Sequence, residues 1–374
     1  MLAGRVKVLA DGDGNGNKMA FRLELPSGRE IFGFGTENVY GGDWDLGPTW
    51  NYLIDSDRPL LVDTGRYGMG GQLLDLVRHA GVEAGDIHAI ALSHGHEDHD
   101  GGLFEIVQAT GARVLAHATY SHLIRCYPAE APSPEREAFP ASCWQCSMPE
   151  SFSQKHCVAY HRERGGLAVE ALPDSGATMD GGLSVFHVPG HSPDAVALMV
   201  GEEALLVGDT LLPNITAQPT REAFYDLTKG VLPPGFSEAQ QVYGLRAYIR
   251  SVKRMMDIGR QFPDILVLPA HRLYYNQRWN EMDLTARARE MVEHHVQRCG
   301  DIVRIVEDGP RTAEEIAREH FEPRLLKGMG MRLAINEVLS HCELLHASGD
   351  TLRLEDGRIC ATGSTGFETL IRSL

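Results

Sequence analysis

One stretch, residues 87–102 (IHAIALSHGHEDHDGG), constrains this chain more than any other. It opens with Ile87, Ala89, Ile90, Ala91 and Leu92, and a short apolar run closed by glycine reads as a buried strand. His94-Gly95-His96-Glu97-Asp98-His99 then falls where that strand ends. His94 and His96 stand two apart, so on extended backbone they point the same way and can share one metal. Asp98 and His99 follow the turn and can face a second metal beside the first. Imidazoles with a carboxylate suit zinc, or iron or manganese under other supply. The plainer account is a histidine-rich surface loop. Three histidines and two acids within six residues, directly behind a buried strand, argue for a site instead.

His-x-His-x-Asp-His behind a buried strand resembles the signature of the metallo-β-lactamase superfamily, and further landmarks of that family follow in order. Asn51-Tyr52-Leu53-Ile54 and Leu61-Val62-Asp63-Thr64-Gly65 look like its early strand pair and tight turn. Pro189-Gly190-His191-Ser192-Pro193 resembles the segment with the third histidine, and Leu206-Val207-Gly208-Asp209-Thr210 the strand end with a bridging aspartate. Leu268-Pro269-Ala270-His271 resembles the last ligand segment, with Ala270 where the family more often has glycine. The likeness spans about residues 48–275.

The resemblance implies an α/β fold, the four-layer αββα sandwich, and a ligand set. His94, His96 and His191 would hold one metal, Asp98, His99 and His271 the other, and Asp209 would bridge both. The implied cofactors are two divalent ions, zinc first, with iron or manganese as alternatives. Such ions ~3.5–4 Å apart share a water and lower its pKa, and the bridging hydroxide attacks a carbonyl or phosphorus. Asp98 could orient that hydroxide, which makes it the catalytic candidate as well as a ligand. The resemblance also implies that Asp63 hydrogen-bonds a ligand histidine and fixes its tautomer. The plainer account of Asp63 is a turn-former before Thr64-Gly65. Ser93 and Asp100 could do similar work, or serve only as turn and cap residues.

Apolar periodicity places the other elements. Tyr52 to Ile54 and Leu60 to Val62 read as a strand pair around Asp55-Ser56-Asp57, and Val6, Val8 and Leu9, then Phe21, Leu23 and Leu25, as opening strands. Leu73, Leu74, Leu76 and Val77 before Gly81, and Leu103, Ile106 and Val107 before Gly111, read as helices with glycine stops. Residues 114–116, 183–188, 195–200, 204–207 and 265–268 read as strands. Val242, Leu245, Ile249, Val252 and Met256 form one face of a helix. This alternation is α/β organisation.

The pattern breaks from about Tyr120 to Gly182, where Pro128, Pro132, Pro134 and Pro140 fall, and again in a second long loop, residues 211–236. Trp144, Met148, Phe152 and Tyr160 are the apolar groups that would offset the ordering cost of the first insertion. It is expected to fold over the metals as a lid.

A boundary is expected near Trp279, giving a catalytic domain over residues 1–278 and a small α+β domain over residues 279–374. In the second, residues 286–306 can form a helix, and Thr312-Ala313-Glu314-Glu315 is a capping box. Leu333, Ile335, Val338, Leu339, Cys342 and Leu345 stripe a third helix, and residues 351–359 a hairpin at Asp356-Gly357. Three helices and a hairpin resemble a winged-helix domain, which also follows the catalytic domain in a glyoxalase-II-like branch of the superfamily.

Charge and cysteines narrow the function. The net charge is −16, and from Glu281 to Leu374 twelve Lys and Arg stand against seventeen Asp and Glu. That is a poor grip on a phosphate backbone. No apolar run reaches the ~18–20 residues that span a bilayer, and the N-terminus lacks a signal-peptide core. A cytoplasmic protein is expected, with an odd count of seven cysteines fitting reduced thiols. Cys143-x-x-Cys146 with Cys157, and His156 or His161 nearby, could hold a structural zinc, though packed thiols in a loop are the plainer account. Cys299, Cys342 and Cys360 read as ordinary thiols of the tail.

These readings lead to a dinuclear metal-dependent hydrolase of a small ester, thioester or lactone. A homodimer through the striped tail helix is open, and neither nucleic acid nor membrane is expected as a partner. The rivals are a phosphodiesterase or ribonuclease, implied by the winged-helix branch, and a mononuclear iron dioxygenase, whose ligands are a subset of these. A diiron reductase would carry glutamate where His96 stands. A metal-bound sensor with little turnover is the rival from outside enzymology.

Overall fold

The structure, a computed structural model, describes residues 2–39, 45–124, 156–173, 175–179 and 182–374. Two sheets lie face to face. The first runs β1 (Val6–Ala10), β2 (Ala20–Glu24), β3 (Glu30–Thr36), β4 (Thr49–Ile54), β5 (Leu60–Val62), β6 (Ala89–Ala91), β7 (Arg113–Ala116) and β8 (Val169–Ala171), in chain order across the sheet. Its pairs are antiparallel as far as β5 and parallel from β5 to β8. The second holds β9 (Thr178–Met179), β10 (Leu183–His187), β11 (Val196–Val200), β12 (Ala204–Gly208) and β13 (Leu266–Pro269), again in chain order, with only β12 and β13 parallel.

Successive side chains of a strand leave opposite faces, and here both faces of each sheet are covered, so the central strands are apolar without a break. In β4, Trp50, Tyr52 and Ile54 enter the core between the sheets while Leu53 enters the outer one. In β12, Leu206 faces inward, and Leu205 and Val207 face outward. Helices α1 (Gly70–His79) and α3 (Leu103–Thr110) cover the outside of the first sheet through Leu73, Leu76 and Ile106. The left-handed Gly111 (φ 67°) stops α3 as its position in the sequence suggests. Between them α2 (Glu97–Asp100) is a single turn carrying the acidic half of the histidine motif. The short α4 (Ala118–Leu123) opens the first insertion, α5 (Cys157–Gly165) lies within it, and α6 (Tyr225–Thr228) lies in the second loop. Helix α7 (Gly244–Gln261) covers the outside of the second sheet with Leu245, Tyr248, Ile249 and Val252. The result is a four-layer αββα sandwich, the architecture that the resemblance implies.

A small hairpin, β14 (Tyr274–Tyr275) with β15 (Arg278–Trp279), follows β13. Trp279 packs edge-on against Phe21 and beside Trp50, so the residue at the expected boundary is part of the interior aromatic cluster. The chain then forms a C-terminal helical domain: α8 (Leu284–Glu307), α9 (Ala313–His320), α10 (Met329–Ala347), the hairpin β16 (Thr351–Arg353) and β17 (Ile359–Ala361), and a closing α11 (Phe367–Ser373) that sequence periodicity did not reveal. The capping box at α9 is complete, Thr312 Oγ1 accepting from Glu315 N at 3.2 Å and Glu315 Oε2 from Thr312 N at 2.7 Å. Val338, Cys342 and Leu345 of the α10 stripe share one core with Tyr248 and Val252 of α7 and with Met291 and Ile302 of α8. The surface that the stripe requires is supplied within the chain.

Residues 125–155, with Cys126, Cys143, Trp144, Cys146, Met148 and Phe152, lie outside the described residues. Most of the expected lid and two of the three cysteines of the expected zinc site therefore fall there. Cys157 is buried at the start of α5.

Candidate metal centre

Strand ends build the site. Asp63 follows β5, His94 follows β6, His191 follows β10, Asp209 follows β12 and His271 follows β13. All seven residues expected as ligands are brought together at one rim of the sandwich. The donor atoms of His94, His96 and His191 lie within 4.8 Å of one another, as do those of Asp98, His99 and His271, and those of His94, His99 and Asp209. Asp209 faces both halves, its Oδ2 lying 3.5 Å from His191 Nε2 and its Oδ1 3.5 Å from His271 Nε2.

Local packing forces this arrangement. A Cβ at Gly101 would stand 2.1 Å from Tyr67 N and 2.2 Å from Glu97 O, so the turn after His99 closes only on glycine. Thr64 then clasps it, with N and Oγ1 donating to His99 O at 2.7 and 2.9 Å. Gly190, with φ 123°, brings the His191 loop so close to α7 that a Cβ would stand 2.2 Å from Tyr248 N.

The hydrogen bonds fix which ring nitrogen of each histidine is left over. His99 Nδ1–H donates to Asp63 Oδ2 at 2.9 Å. His94 Nδ1–H donates to Ser93 Oγ at 3.0 Å, and that hydroxyl donates on to Asp63 Oδ2 at 2.7 Å. His191 Nδ1–H donates to Gln218 O at 2.9 Å and His271 Nδ1–H to Pro48 O at 3.1 Å. Each ring so held turns Nε2 toward the centre. The Nε2 atoms of His94, His99, His191 and His271, with Asp209 Oδ1, are buried and make no hydrogen bond among the described residues. Buried polar atoms are ordinarily paired, so this convergence of lone pairs fits a divalent cation, and the imidazole-plus-carboxylate donor set fits zinc, iron or manganese.

Charge inside the cluster is strongly coupled. Burial works against ionised Asp98, but His99, His271 and His96 outweigh it and hold its pKa well below the carboxylate range. Asp209 is held low in the same way by His271, His99 and His191. Burial and neighbouring imidazoles push His94 far down, and burial and His191 push His96 down to about 3. Burial opposes protonation of His99 too, yet Asp98, Asp209 and Asp63 together pull its pKa up. A proton on His99 thus stands where a cation would stand, and the two compete.

Asp63 is placed as expected, 2% exposed, accepting also from Ser93 N at 2.7 Å. Ser93 relays its charge to His94. Asp100 instead sits on the far side of α2, holding Tyr120 Oη at 2.8 Å, Arg164 Nη1 at 2.6 Å and the Tyr160 hydroxyl. Asn38 was not legible: its Nδ2 donates to Asp98 Oδ2 at 3.0 Å from a loop with no motif around it. A separate group in the helical domain, His294, His295 and Glu337, also has metal-ligand spacing, but Arg298 already pairs with Glu337.

Comparison with known proteins agrees with this fold. The metallo-beta-lactamase superfamily model matches residues 44–260, which ends short of His271. A metallo-beta-lactamase family protein from Thermus thermophilus is similar with TM-score 0.61 and 22% identity, covering 96% of this chain and 100% of that one. A beta-lactamase domain protein from Burkholderia ambifaria is similar with TM-score 0.67 and 18% identity, covering 94% and 95%. The family-model match takes in more than half of the chain, and the likeness to the two structures carries the fold across nearly all of it. The chain belongs to the metallo-beta-lactamase superfamily.

Proposed function

We propose that the protein is a dinuclear metal-dependent hydrolase of a small ester, thioester or lactone, with His94, His96 and His191 holding one ion, Asp98, His99 and His271 the other, and Asp209 between them. The observation that carries this reading is the set of buried Nε2 atoms turned to one point, beside Asp98 and Asp209, by hydrogen bonds at Nδ1. Two divalent ions in such a site would lower the pKa of a shared water and polarise the oxygen of the bond to be cleaved. Asp98, steadied by Asn38 Nδ2, would orient the hydroxide as well as hold an ion. Asp63 keeps His99, and through Ser93 His94, in the tautomer that leaves Nε2 free. A small-molecule substrate is favoured over RNA by the net charge of −16 and by the acidic tail. The order of helices and hairpin after Trp279 supports a winged-helix-like tail in a glyoxalase-II-like relative, and the composition supports a cytoplasmic protein.

Elemental analysis of protein prepared without chelator tests the reading. Two equivalents of transition metal are expected, and Asp209→Ala should remove most turnover in a screen of thioesters, lactones and phosphodiesters. One equivalent that does not rise on adding zinc, iron or manganese would favour the mononuclear dioxygenase. Unaltered turnover in Asp209→Ala would sink the mechanism.

A further inference from the structure

The chain just after Asp209 has neither helix nor strand, yet Leu211, Leu212, Ala217 and Thr220 are buried. Backbone carbonyls in such a run need partners. They find several on the helices behind it. Tyr248 Oη of α7 donates to Thr210 O at 2.8 Å. From α8, Arg287 Nε donates to Leu212 O at 2.8 Å and Nη2 to Ile215 O at 2.6 Å, while Nη1 meets Glu290 Oε2 at 2.6 Å. Gln218 Nε2 donates to Leu333 O of α10 at 2.6 Å, and the carbonyl of this same Gln218 receives the Nδ1 proton of His191. Asp209 therefore opens the gripped run, and the orienting contact of His191 lies near its end.

We infer that Arg287 is a positioning residue for His191 and Asp209, so that the C-terminal helical domain holds one half of the metal centre in register. This rests on the proposed metal-centre reading. The side chain is 9% exposed, and its partners are Leu212 O, Ile215 O and Glu290 rather than any ligand. It acts through backbone carbonyls three residues apart, to which a planar guanidinium donates from two fixed nitrogens, whereas a lysine offers one compact ammonium on a flexible stem. A metal ligand tolerates little displacement, and loss of the groups that orient it commonly weakens metal binding ~10–100-fold. Arg287 reaches His191 indirectly, through the 212–218 backbone, so the lower end of that range is expected.

The test compares full-length wild type, Arg287→Met, Arg287→Lys and Arg304→Met by competitive zinc titration. Arg304 is the control, because it lies on the same helix, about 25 Å along it from Arg287, and pairs with Asp301 at the surface. Arg287→Met should bind one of two equivalents about tenfold more weakly, Arg287→Lys should fall between, and Arg304→Met should match wild type. Arg287→Met that binds both equivalents as wild type does would overturn the inference. If Arg287→Met does not fold, Arg287→Lys carries the comparison. A metal-free readout separates this from failure of the metal reading. Trypsin should cut after Arg221 or Lys229 faster in apo Arg287→Met than in apo Arg304→Met, and equal rates would overturn the inference even if wild type binds no metal.

Discussion

Asp63 takes the Nδ1 proton of His99 and the Ser93 hydroxyl on one oxygen and the Ser93 amide on the other, at a backbone φ of 62°. A left-handed conformation is uncommon outside glycine, although Asp and Asn tolerate it best. Asp63→Asn therefore leaves the backbone unstrained and isolates the loss of charge and of one acceptor. It is expected to weaken zinc binding ~10–100-fold with little change in thermal unfolding of the metal-free protein. Metal affinity equal to wild type would show that Asp63 only shapes the turn. Asp63 and the ligand histidines were legible because each sits in a short motif at a strand end. Asn38, Arg164 and Arg287 were not, because each acts from a segment remote in sequence, and only the packing brings it to the site.

At the scale of elements, α5 is joined to α2 through charge. Arg164 Nη1 donates to Asp100 Oδ2 at 2.6 Å and to Gly95 O at 3.2 Å, and the guanidinium carbon lies 4.3 Å from the Tyr160 ring centre. Both charges are buried, with side-chain exposures of 2% and 0%. Removing one partner of a buried pair leaves the other uncompensated, at a cost of ~3–5 kcal/mol. Arg164→Met is expected to lose about that much in denaturant unfolding, less whatever the two tyrosine hydroxyls recover, and Arg164→Met with Asp100→Asn should regain part of it. A single variant as stable as wild type would refute the pairing argument. Six strands of the first sheet (β1, β2 and β4 to β7), with α1, α3 and α7, could be read from apolar period and glycine stops; β3, interrupted by Gly33 and Gly35, and β8, inside the first insertion, could not. α4 and α5 could not, because α5 buries charged and polar groups along with apolar ones and so shows no clean stripe.

For the whole molecule, the core on the outer face of the second sheet runs without a break from α7 into α8 and α10. Tyr248, Val252, Met255 and Ile258 of α7 would be uncovered by truncation after Trp279, and full burial of such side chains is worth roughly 1.5–3 kcal/mol each. The truncated chain is expected to aggregate or lose its cooperative thermal transition. A soluble, cooperatively folding, metal-binding product would show that the helical domain is dispensable. The central strands were legible because both their faces are covered, which writes unbroken apolar runs into the sequence, whereas the sandwich they form was implied by the family resemblance. The sharing of one core across the boundary near Trp279 was not, because an amphipathic stripe does not say which surface it meets.

The strand order in both sheets has a consequence in time. Neighbours in each sheet follow one another in strand order, yet the parallel pairs β7–β8 and β12–β13 each close across a long stretch of chain, and such non-local pairings form slowly. The ligands run from His94 to His271 and are drawn from both sheets. No half of the metal centre is complete until β10, which precedes His191, is in place, and the Asp98, His99 and His271 half must wait for β13. A nascent chain would thus present stray histidines to the metal pool for most of its synthesis but a finished cage only at the end. On the proposed metal-centre reading, capture of the ions would follow closure of both sheets, a seal on the sandwich rather than the nucleus around which it forms.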